Sequence, residues 1–183
     1  MSIGRARYPA GEAGRLYDRY VRTRRYLMNS DGKADRQLAW ELHVELATRV
    51  SATELAEGQG LLTEALSSLH AVFGTARAAL AAYPSREIED REDSVPALVT
   101  RLLNNLLRPF LSKWHPRLLA YEELRPDGIG SSEHESVWEH SALLRAELAE
   151  LQALVREVAR RLADIAQVVS LVPAEQRPVA ETA

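Results

Sequence analysis

The chain has 183 residues, 46% of them apolar, a formal net charge of −3 and no cysteine. That length suits one domain with a real core. The missing cysteine excludes disulfides and thiolate metal sites, and the net negative charge argues against a globally basic nucleic-acid binder. No apolar run approaches the roughly 18 residues of a membrane span and the N-terminus lacks a signal-peptide core, so a cytoplasmic protein without membrane contact is expected.

Leu, Ala, Glu and Arg dominate, and of the 23 basic residues only Lys33 and Lys113 are lysine. This composition favours helix over sheet. Residues 1–30 form an arginine-rich arm, with Arg5, Arg7, Arg15, Arg19, Arg22, Arg24 and Arg25 against only Glu12 and Asp18. Tyr8, Tyr17, Tyr20 and Tyr26 are interleaved with them. A terminal helix over about 12–28 with solvated arginines accounts for the pattern; a nucleic-acid surface built on Arg15, Arg19, Arg22, Arg24 and Arg25 is the alternative.

Residues 34–50 carry two periods. Trp40, Leu42, Val44 and Leu46 alternate as in a half-buried strand, yet Leu38, Leu42 and Leu46 also stack at i, i+4, and the helix-forming composition favours the second reading. Ser51-Ala52-Thr53-Glu54 has the spacing of a capping box. From about 60 to 82, Leu62, Ala65, Leu66, Leu69, Phe73, Ala76 and Leu80 define an amphipathic helix that Tyr83-Pro84 ends. An acidic linker follows over 85–93.

The third long helix starts near Ser94, with Pro96 in its first turn. Its leucines, from Leu98 to Leu107, predict the most buried position in the fold. Pro109 is expected to kink or break it, and a second segment runs from Phe110 to about Glu123 before Gly128 and Gly130 close the unit. The fourth helix is predicted from Ser132, paired with Glu135 as a second capping box, to about residue 170. That is about 38 residues, or roughly 57 Å. Its stripe continues through Val155, Val158, Leu162, Ile165 and Val169. So long a stripe needs a cover: either the N-terminal helix folds back over it or, the favoured reading, a second molecule covers Leu162 and Ile165, as a homo- or hetero-oligomer. The tail from 173 is polar and expected to be disordered. The predicted architecture is all-α: an up-and-down bundle of four main helices over 31–172, its third member kinked by proline, preceded by the basic arm.

No cofactor motif is present. Neither G-x-x-x-x-G-K-[ST] nor G-x-G-x-x-G occurs, and no serine sits on a strand-to-helix elbow. His134-Glu135-Ser136-Val137-Trp138-Glu139-His140 resembles a zincin helix only briefly, because its histidines are six apart rather than four. The zincin reading fails; a looser metal set of His115, His134, Glu135 and His140 stays open only if the kinked helix meets the start of the fourth. His43 and His70 read as boundary residues that hydrogen-bond. In Arg108–Pro116, Arg108, Lys113, Trp114 and His115 form a candidate partner surface, since Trp and Arg most often anchor interfaces. The competing reading places Phe110 and Trp114 in the core and leaves His115-Pro116 to set a turn.

The strings Trp40–Arg49, Glu64–Phe73 and Leu103–Pro116, with His134-Glu135, Trp138 and Leu144-Arg145 later, resemble a family of small bacterial all-helical proteins associated with conflict (anti-phage) loci. The resemblance covers about residues 36–170, implies no activity and carries over no catalytic residue. The expected function is therefore non-enzymatic: a helical bundle that binds another protein, such as an operon-encoded effector of a bacterial defence or signalling system.

Overall fold

The structure is a computed structural model that describes residues 32–49, 59–84 and 94–172. The arm with Arg15, Arg19, Arg22, Arg24 and Arg25, the Ser51–Glu54 box, the acidic linker and the tail lie outside the described residues. Within them the protein is all-α, with no strand. Helix α1 spans Lys33–Thr48, α2 Leu62–Ala82, α3 Val95–Arg101, α4 Arg108–Glu122, α5 Ser131–Ser136 and α6 Ser141–Ala166; a π-helical turn, Leu102–Leu107, joins α3 to α4. One continuous core draws on α1, α2, the α3–α4 rod, α6, Trp138 and Val172.

The helical period of 34–50 prevails over the strand period. Leu38, Ala39, Leu42 and Leu46 are buried on one face of α1, whereas Trp40 is 37% exposed. That face lies along α6. Leu162 is accordingly 1% exposed and Ile165 packs against the same core. The expectation that a second molecule covers Leu162 is thus corrected: α1 packs along α6, with His43 bonded to Ala159 O in its distal half, and Leu162 is buried within the chain, while Ile165 is half-buried against the same core.

The fourth helix is also shorter than its stripe implies. The chain leaves helical geometry at Val137–His140, so that Trp138 turns into the core, and restarts as the 26-residue α6. It stops at Gln167, which takes a left-handed conformation (φ 60°), and its N–H and that of Val168 bond back to Asp164 and Ala163 carbonyls. Val169, beyond that cap, is 90% exposed.

Ser94 caps α3 as its position suggests, accepting the Ala97 N–H at 3.3 Å, with Pro96 in the first turn. The break expected at Pro109 does not occur. The backbone stays helical from Val95 to Glu122, and the turn before Pro109 widens so that the Arg108 N–H reaches Leu103 O, five residues back. A widened turn gives the proline ring room beside the preceding carbonyls. Pro116 likewise lies inside α4 rather than starting a turn.

Candidate functional site, a basic cleft between α2 and α4

Two runs of this acidic protein contain no Asp or Glu: residues 65–84, which include most of α2, and residues 94–121, which span α3 and nearly all of α4. On α2, His70, Phe73 and Arg77 follow at i, i+3 and i+7, which puts them on one helical face. On α4, Arg108, Leu111, Ser112 and His115 do the same. The two helices pack together and bring these faces opposite each other, enclosing a cleft of about 260 Å³ whose remaining wall is Pro116.

The pairing runs antiparallel. The His70 and His115 rings stack at 5.7 Å with 22° between their planes, at one end of the cleft. At the other end both guanidiniums lie over the Phe73 ring, Arg77 at 5.5 Å and Arg108 at 5.3 Å from its centroid. Arg108 is further oriented by Asn104, whose Oδ1 accepts from its Nε at 3.2 Å and from a terminal nitrogen at 3.1 Å. Phe73 and Leu111 are buried and form an apolar floor, while Arg77, Arg108 and Ser112 are exposed. Two cations thus share one aromatic ring with no carboxylate lining the cleft. In energetic terms such a site is unbalanced, and it is relieved by an anion.

The four members of the expected partner surface separate. Arg108 and His115 line the cleft. Trp114 points the other way and is fully buried, in edge contact with Trp138 at 6.2 Å; as a surface anchor it is corrected, because α4 turns its indole into the core. Lys113 is exposed but held by Glu147 of α6, at 2.6 and 2.7 Å to its two oxygens, and the same carboxylate accepts the Trp114 Nε1–H at 2.8 Å. The Lys113 hydrogen bond holds the Glu147 carboxyl below its usual range, against a smaller desolvation that raises it, with Trp114 acting in the same direction as Lys113.

His43, His134 and the buried carboxylate of Glu135 serve the fold. Glu135 does not cap its own helix: its carboxylate accepts the N–H groups of Leu62 and Thr63 and the Thr63 hydroxyl, at 2.6, 3.0 and 2.8 Å, and so caps α2. His134 stacks on Tyr121 at 4.0 Å and donates from Nε2 to Tyr121 O at 3.0 Å, while the Tyr121 hydroxyl donates to His134 O at 2.9 Å. His43 is fully buried. Its Nδ1 donates to Ala159 O at 2.7 Å and its Nε2 accepts the Leu171 N–H at 2.9 Å. Among the described residues, no three or more His, Asp or Glu side chains are grouped to hold a metal ion, and no helix is long and apolar enough to cross a membrane.

Sequence reasoning missed Arg77, and it read His70 only as a boundary residue on a helical surface that hydrogen-bonds. The absence of acidic residues over 65–84 and 94–121 was the available signal. No protein-family model, curated protein or solved structure matches the chain.

Proposed function

We propose that this chain is a non-enzymatic binding bundle that docks another protein, taking an anionic element of that partner into the cleft between Arg77 and Arg108. The cleft itself carries the proposal: two guanidiniums and two imidazoles face one another across an apolar floor, and no lining residue is acidic. Binding rather than turnover is supported by the use of the buried titratable groups. His43 and Glu135 bond to backbone groups of distant segments, and His134 to the backbone of the preceding helix. The resemblance carried by Trp40–Arg49 and Leu103–Pro116 supports reading that partner as an effector encoded beside this protein in a bacterial defence or signalling locus.

The test is co-expression with the products of adjacent genes. A complex that forms with the native chain and is lost in Arg77→Glu/Arg108→Glu, with melting unchanged, is the expected outcome. A complex indifferent to that double reversal contradicts the cleft as docking site. The arginines and tyrosines of residues 1–30 favour one other reading, a nucleic-acid-associated module; salt-dependent retention on oligonucleotides that survives the double reversal would favour it.

A further inference from the structure

We infer that the group the cleft receives is a phosphoryl group carried on a serine or threonine of the partner, rather than a carboxylate. The inference rests on the cleft being the docking site, but it concerns only the chemistry of what enters.

Three observations lead there. First, the donors come from opposite walls. Arg77 comes from α2 and Arg108 from α4, both over Phe73, with the His70–His115 stack at the far end of the cleft and Ser112 on the α4 wall. A carboxylate has one charge and two oxygens in a plane, which a single guanidinium fork can satisfy. A phosphoryl group carries between about 1.5 and 2 negative charges and three oxygens directed tetrahedrally, so it can accept from both walls at once. Second, Arg108 is already oriented by Asn104 and the Phe73 face, which lowers the entropy lost when its fork closes on a ligand. Third, the cleft is open and about 260 Å³. Pockets that enclose small molecules usually run from about 300 to 1,000 Å³. A protruding group on a polypeptide fits a site of this size better than a whole metabolite.

Calorimetry at constant ionic strength tests this with three probes: a phosphoserine peptide, the same peptide with glutamate in that position, and inorganic phosphate. The phosphopeptide should bind at least about tenfold more tightly than the other two, a difference of about 1.4 kcal/mol. Arg77→Gln and Arg108→Gln should each weaken it by about tenfold or more with melting unchanged, and Asn104→Ala by less. Equal or tighter binding of the glutamate peptide overturns the phosphoryl assignment while leaving the anionic docking cleft standing. Inorganic phosphate binding as tightly overturns the protein-borne source. Phosphopeptide binding untouched by both glutamine variants, or absent altogether, overturns the inference; the docking reading then falls only if the partner complex also survives the Arg77→Glu/Arg108→Glu reversal.

Discussion

The Glu135 carboxylate accepts the backbone N–H of Leu62 at 2.6 Å, so the start of α2 is closed by a residue 73 positions further along the chain. A helix start has N–H groups without intrahelical partners and a partial positive charge, and an anion there answers both. Since Glu135 is 1% exposed, its charge is balanced inside the protein rather than by water. The same contact fixes α2, and with it His70, Phe73 and Arg77, relative to the segment before α6.

Removal of that carboxylate should therefore cost more than an ordinary surface cap. Glu135→Ala leaves the Leu62 and Thr63 N–H groups without their acceptor, and we expect a loss of about 2–3 kcal/mol in denaturant unfolding. Glu135→Gln, which keeps one acceptor oxygen, should lose less. Equal stability of the two variants and the native chain would show that the cap contributes nothing.

His43 predicts a specific tautomer. A donor is needed at Nδ1 for Ala159 O and a lone pair at Nε2 for the Leu171 N–H, so the ring is the neutral Nδ1–H form. Nitrogen NMR should report it. His43→Phe should speed amide exchange at Leu171 and release Val172, which is otherwise buried, with a loss of about 1–3 kcal/mol. An unchanged Leu171 exchange rate contradicts the latch.

Helices α1, α2 and the start of α3 were legible because their apolar residues recur at helical spacing and Ser94-x-Pro96 is a local start signal. What failed were readings that required knowing which element lies opposite. Ser132-x-x-Glu135 satisfies the spacing of a local capping box, yet the stronger partner for Glu135 is remote. The stripe through Leu162 and Ile165 looked surplus because α1 was not known to cover it. The cleft was half visible: Arg108 and His115 were singled out, but each wall alone reads as a solvated face, and only antiparallel packing sets Arg77 beside Arg108 and His70 on His115.

Two core substitutions separate these accounts. Trp114→Ala should destabilise the fold by about 3–5 kcal/mol, since it empties a fully buried aromatic site. Leu162→Lys should unfold the protein rather than dissociate an assembly, because it places a charge beneath α1. A folded, helical Leu162→Lys chain of lower mass than the native form would restore the oligomer reading.

Glu147 gives a pH signature. Its carboxyl titrates lower in the folded chain than when unfolded, chiefly through the Lys113 hydrogen bond. Its contribution is therefore fully present above the unfolded carboxylate value of about 4.3 and is lost as pH falls through the folded value. With side chains 40% and 32% exposed the pair is screened by solvent and the effect is small. The stability gap between the native chain and Glu147→Gln should close on acidification over that window, and Lys113→Met should shift the Glu147 titration upward. A Glu147 titration unmoved by Lys113→Met would contradict the assignment.

The cleft is tested most directly by NMR of the arginine Nε–H groups during titration with the phosphoserine peptide. Before addition, the signals of Arg77 and Arg108 should carry the ring-current shift of Phe73, and Phe73→Leu should abolish it. On titration these two should move first and furthest, together with the His70 and His115 ring protons. Movement confined to arginines of residues 1–30, with Arg77 and Arg108 unchanged, would contradict the basic cleft as the place where this bundle meets its partner.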